Sequence, residues 1–173
     1  MTDDLLIDNR TQGGPYTNLG TPWRAITDQV MGGISTGRLQ EIEVQDRHCI
    51  LLTGRTRLEN NGGFVQVAAD LATSGYLDAS AYDGIELEIL GNGTPYNIHL
   101  RTADTHQVWQ SYRCSFETTG NWQSIRLLFS EFHSHRLTTP LDTRRLRRIG
   151  IVSIGAAMDV YIAFSRIAFF KQS

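Results

Sequence analysis

Ile85-Glu86-Leu87-Glu88-Ile89 alternates apolar and acidic residues without a break. Strand side chains point to opposite faces with period two, so this stretch predicts a strand with one face on a core and the other in water. The same alternation recurs in Tyr96 to Arg101, in Ser124 to Phe129 with a looser end, and in Val160 to Phe164. Further strands are predicted at Gly37 to Val44, Cys49 to Thr56, Phe64 to Ala69, Tyr112 to Phe116, Ile149 to Ile154 and Ile167 to Phe170. Turn signals separate these runs at Asp83-Gly84, Gly91-Asn92-Gly93, Thr94-Pro95 and Gly120-Asn121. Helical periodicity is scarce. Leu141 to Arg148 could form two turns behind Thr139 as cap and Pro140 in the first turn, and Ser130 to His133 one turn. Ten short strands with almost no helix predict an all-β fold, an antiparallel β-sandwich or jelly roll, in one domain over residues 1–173.

The outward side of the alternation carries chemistry. If strands 85–89, 96–101, 112–116 and 124–129 share a sheet, its solvent side bears Glu86, Glu88, Asn97, His99, Arg101, Arg113 and Arg126. Trp109 would add an aromatic platform if its strand begins early enough. Such a face reads as cross-strand ion pairs that keep a sheet soluble, or as a polar binding face.

Bulk properties bound the rest. The 173 residues suffice for a real core, and 40% hydrophobic with 20% charged content fits a globular protein. A net charge of -2 gives no general pull toward nucleic acid, and the Arg144, Arg145, Arg147 and Arg148 cluster lacks interleaved aromatics, reading as a solvated short helix or turn. No apolar run approaches the roughly 20 residues that span a bilayer. The acidic start from Met1 to Asp8 matches neither a secretory signal nor an Arg-rich transit peptide, so a cytoplasmic location is expected. Cys49 and Cys114 have no metal spacing and read as small buried hydrophobes.

Two glycine-rich segments stand about twenty residues apart. One is Asp28-Gln29-Val30-Met31-Gly32-Gly33-Ile34-Ser35-Thr36-Gly37; the other is Glu59-Asn60-Asn61-Gly62-Gly63-Phe64. In a structural reading, Asp28 and Ser35 satisfy loop backbone donors as Asx and Ser turns. Gly32, Gly33 and Gly37 then supply unusual dihedrals, Met31 and Trp23 plug the core edge, and Asn60 and Asn61 turn before Gly62, Gly63 and Phe64. In a functional reading, the two loops lie side by side and present Asp28, Gln29, Ser35, Asn60 and Asn61 to a partner. Neither segment has the spacing of a dinucleotide or phosphate loop. His133-Ser134-His135 lacks an evident third ligand and reads as a polar loop, and Glu86 with Glu88 lacks the apolar pocket that would raise a carboxyl pKa. No catalytic, cofactor or metal residues are assigned.

These segments resemble the complex I intermediate-associated protein 30 family. The resemblance rests on Trp23, on Thr27 to Gly37 and on Leu58 to Phe64. It continues through Tyr82 to Leu87, Gly91 to Tyr96, Leu100-Arg101, Trp122 to Arg126 and Phe129 to Phe132, and runs from about Trp23 to Phe170. It implies a galactose-binding-like jelly roll and the role of mitochondrial relatives, non-catalytic chaperones in assembly of respiratory NADH:ubiquinone oxidoreductase. The expected function is therefore a protein-interaction or assembly module whose partner is a protein such as a respiratory-complex subunit. The alternative is a carbohydrate or small-ligand module using Glu88, His99, Arg101 and Trp109. A nucleotide-using enzyme or redox partner has the least support.

Overall fold

The computed structural model describes residues 3–172. Met1, Thr2 and Ser173, at the ends of the expected 1–173 domain and at the front of the acidic N-terminal stretch, lie outside the described residues. Twelve strands are present among those described: β1 (Leu5–Asp8), β2 (Arg24–Thr27), β3 (Thr36–Val44), β4 (Arg47–Thr56), β5 (Phe64–Asp70), β6 (Gly84–Leu90), β7 (Tyr96–Thr102), β8 (Ser111–Phe116), β9 (Gln123–Leu128), β10 (His133–His135), β11 (Leu146–Ile154) and β12 (Met158–Phe170). The helical content described is three single turns, Asp28–Met31, Glu59–Asn61 and Phe129–Glu131.

The strands form two six-stranded sheets with antiparallel pairings. The first runs β3-β4-β12-β6-β9, with β1 also on β12; the second runs β10-β8-β7-β11-β5-β2. Ile50, Leu52, Ile85, Leu87, Ile89 and Ile162 from the first sheet meet Val65, Val67, Ile98, Leu100, Ile149 and Ile151 from the second in one core. This is the sandwich the alternation predicts, and the Ile85–Ile89 apolar face is fully buried in it. Among the described residues, no helix is long and apolar enough to cross a membrane.

Several expectations are corrected. Leu141 to Arg148 is not helical: Asp142 to Arg145 form a tight turn, and β11 begins at Leu146 because Leu146 must enter the core. The runs 160–164 and 167–170 are one strand, β12, broken by a bulge between Phe164 and Arg166. The bulge advances the side-chain phase by one, so Val160, Ile162 and Phe164 point inward before it, and Ile167 and Phe169 after it. β1, β2 and β10 were not anticipated. At the chain's start, Trp23 packs on Phe164 and donates from Nε1 to the buried Asp8 carboxylate at 2.6 Å. Arg10 closes that knot with a 3.1 Å ion pair to Asp8, its side chain only 5% exposed.

Candidate functional site

Both glycine segments cross between sheets, the first from β2 to β3 and the second from β4 to β5. They touch, and Asp28 is what joins them. Its carboxylate is 0% exposed. Oδ1 accepts from Ser35 N (3.0 Å), and Oδ2 accepts from Ser35 Oγ (2.5 Å), Gly63 N (2.5 Å) and Phe64 N (3.2 Å). Ser35 Oγ in turn accepts from Arg57 N at 2.8 Å, and Asn60 Nδ2 donates to Gly32 O at 3.2 Å. A third crossing, from β11 to β12, joins through Gly155 N to Gly63 O at 3.1 Å. Burial pushes the Asp28 carboxyl up, but the bonds from Ser35, Gly63 and Phe64 outweigh it and hold the pKa below the usual value.

The glycines serve this clamp in different ways. Gly32 ends the 28–31 turn in the left-handed region at φ +86. Gly33 has no such φ; a Cβ there would lie 2.3 Å from Asp28 Oδ1, and one at Gly62 would lie 2.6 Å from Oδ2. Gly33 is thus required for space rather than for dihedral freedom, as is Gly37 against Val65.

Asp28 and Ser35 face each other and cannot be presented to a partner, which corrects the functional reading for both. Asp28 also reaches across to Gly63 and Phe64 instead of closing an Asx turn of its own. Met31 does not plug the core: it is 58% exposed, because the Gly32 turn carries it outward. Trp23 is buried as expected. Gln29 is exposed and donates to Ser35 O at 2.7 Å; Asn60 and Asn61 are exposed in left-handed conformations. Val30, Ile34 and Leu58, also exposed around the clamp, were missed, although their position beside the glycines and Asn residues was the available signal.

The predicted polar face does not exist as one surface. β6 and β9 lie in the first sheet, β7 and β8 in the second, so Glu86, Glu88 and Arg126 face away from His99, Arg101 and Arg113. On the first sheet's outer side the charges are matched. Glu86 takes Arg126 at 2.7 Å and Arg166 at 2.6 Å, and Glu88 takes Arg47 at 3.2 Å. Arg47 also stacks 5.0 Å from the Trp122 ring, over a small apolar layer of Cys49, Leu51 and Ala163.

The second sheet's outer side is different. Pairing registers align one row across it: His133 on β10, Arg113 on β8, His99 on β7, Gly150 on β11, Ala68 on β5 and Arg24 on β2. His135 sits two residues along β10, so His133-Ser134-His135 is an edge strand presenting both imidazoles on one face rather than a loop. His99 Nε2 is shielded from solvent and has no hydrogen-bond partner among the described residues. Burial, then Arg113 and His135, push the His99 pKa down to about 3, so the imidazole is neutral. Arg113 donates from Nε to Ser111 Oγ at 2.8 Å and has no acidic partner among the described residues. Arg101 spends its guanidinium on the carbonyls of Thr105, Gln107, Val108 and Gln110, at 3.0–3.1 Å. It thereby fixes the 103–110 loop, which carries Trp109 at 56% exposure; Trp109 precedes β8 rather than lying on it.

Comparisons with known proteins give a family and a fold. The sequence matches the profile of the complex I intermediate-associated protein 30 (CIA30) family over residues 16–163. No curated protein sequence matches the chain. Among solved structures it is similar to the family 11 carbohydrate-binding module of a cellulosomal cellulase of Clostridium thermocellum, with TM-score 0.75 and 10% identity, covering 100% of this chain and 98% of that one. A family 11 module from Clostridium thermocellum in complex with a β-1,3-1,4-mixed-linked tetrasaccharide gives TM-score 0.73 and 12% identity over 97% and 95%. A family 30 carbohydrate-binding module gives 0.60 and 14% over 80% and 75%. At these identities the likeness is one of fold.

Proposed function

The chain belongs to the complex I intermediate-associated protein 30 family, and from that premise we propose that it is a non-catalytic interaction module that assists assembly of respiratory-complex subunits. The observation that carries this reading is the rim of the Asp28 clamp. Val30 is 74% exposed, Met31 58%, Leu58 47% and Ile34 41%, on loops held rigid from beneath by buried hydrogen bonds. Large apolar side chains held outward on a fixed support suit protein contact. Affinity capture from the native cell tests it. Wild-type protein is expected to recover subunits of NADH:ubiquinone oxidoreductase, and Val30→Asp with Met31→Asp to recover at least about tenfold less, as hot-spot losses do. Equal recovery by both proteins overturns the reading.

A second reading is a carbohydrate-binding module. It is favoured by Trp109, an exposed aromatic that Arg101 holds beside the second sheet's polar face. An indole so placed can stack on a sugar ring while face groups hydrogen-bond hydroxyls. A thermal-shift screen with mixed-linked β-glucan oligosaccharides is expected to raise Tm for wild type and not for Trp109→Ala. No shift in wild type with these or other glycans counts against it.

A further inference from the structure

We propose that the outer face of the second sheet holds an oxyanion-binding site, centred on His99 and Arg113 and flanked by His133 and His135, that takes a carboxylate or phosphate group of a ligand. The site stands apart from the clamp rim and needs neither reading above.

Charge balance is the first argument. Neighbouring strands lie about 4.8 Å apart, and like charges directly opposite each other destabilise a sheet. On the first sheet this is avoided, since Arg47, Arg126 and Arg166 each meet an acid. On the second, the residues directly opposite Arg113 are His99 and His133, neither of them an acid, and Arg136 follows the strand that carries His135. The acid that this face carries, Asp70, is engaged by Arg148 at 3.0 Å on the far side of Gly150. Asp104, next to β7, is engaged by Arg145 at 3.3 Å. Among the described residues Arg113 and Arg136 have no acid of their own, and their charge is left for a counter-charge from outside the molecule.

The unpaired buried atom is the second argument. A shielded imidazole nitrogen without a partner carries a desolvation cost that a ligand atom would remove. Nε2–H of neutral His99 can donate to an oxyanion oxygen, and Arg113 retains its terminal Nη groups for another, its Nε being held by Ser111. Beyond His99 the row continues to Gly150 and Ala68, both buried, with the Gln66 side chain lying over Gly150, so the ligand is held at the β7, β8 and β10 end of the face. The bound anion would also reverse the effect of Arg113 and His135 on His99 and favour its protonation.

The test follows the histidine ring resonances of the full chain by NMR during titration with inorganic phosphate, with glucuronate, and with chloride at matched ionic strength. Saturable shifts at His99 and His133, absent with chloride, are expected, with the His99 pKa rising by about one unit or more from about 3. Response to phosphate alone assigns the source as a phosphate group, and response to glucuronate alone as a carboxylate. Arg113→Gln is expected to weaken the response about tenfold or more, and Arg113→Lys by less, because the charge remains. Arg126→Gln on the opposite face should leave it unchanged. The proposal is overturned if the wild type responds to neither probe beyond chloride, if the shifts map away from β7, β8 and β10, or if folded Arg113→Gln responds like wild type.

Discussion

Asp28 is fully shielded from water yet stays ionised, because donors from two loops converge on it and no cation is needed. Such a carboxylate stabilises the fold only while charged. Its folded pKa lies below the unfolded value of about 3.9, so its contribution is complete above that value and is lost as pH falls through the folded pKa. Tm should therefore drop on acidification below about pH 4. Asp28→Asn should drop it less steeply while costing about 2–4 kcal/mol at neutral pH, since an amide nitrogen would face donors where an oxygen accepts. Urea denaturation across pH checks both, and a wild-type pH profile indistinguishable from that of the variant would refute the assignment. The glycines beside it separate two mechanisms. Gly32→Ala meets open space and incurs only the left-handed backbone strain, about 1 kcal/mol. Gly33→Ala drives a methyl into a carboxylate that cannot swing away, and should cost more than Gly32→Ala, about 2–3 kcal/mol. Equal losses at the two positions would contradict this division.

Strands long enough to show an apolar alternation or an apolar run were legible, and three strands of three or four residues were not. Ile85 to Ile89 declares its two faces, whereas His133-Ser134-His135 has no apolar residue and is a strand because β8 offers it an edge. Leu5 to Asp8 hides similarly, since it buries Asp8 beside Ile7 and so breaks the alternation. The polar face failed for another reason. Gly91-Asn92-Gly93 between β6 and β7 reads equally as a hairpin turn or as an arch to the opposite sheet, and it is the arch. Local sequence fixes that the chain turns, while the core decides which sheet receives the next strand. Of the candidate site, the pairing of the two glycine loops and the use of Asp28 and Ser35 on backbone donors were legible; which donors they take was not, because these lie 7 to 36 residues away. At this scale the 103–110 loop can be tested. Its carbonyls depend on one guanidinium, so Arg101→Ala should speed amide exchange there with little change in Tm, and Arg101→Lys should rescue it poorly because an ammonium lacks the planar fork. Unchanged exchange would mean the loop holds itself.

The near-neutral net charge of the whole molecule conceals two unlike surfaces, one with acids and bases matched and one with cations in excess. The sandwich beneath them tolerates this, since a core asks mainly for apolar residues of suitable size, which is also how modules 10–14% identical share the fold. Its interior is not one uniform body, however. Cys114 belongs to the main core between the sheets, while Cys49 lies in the thin apolar layer on the first sheet's outer side, beneath Trp122. Burial pushes both thiols up, and the thiolate is the reactive form, so labelling at mildly alkaline pH requires each site to open. Cys49, 1% exposed, is covered by the outer layer alone, while Cys114, 7% exposed, packs in the main core, whose opening is expected to cost more. Mass spectrometry after timed labelling should therefore find Cys49 modified first in buffer, with the two rates converging as denaturant brings on global unfolding. Trp122→Ala should accelerate Cys49 and leave Cys114 in step with global unfolding. Rapid labelling of both in buffer would show instead that the sheets part as readily as the outer layer lifts, and that the main core does not dominate the molecule's resistance to opening.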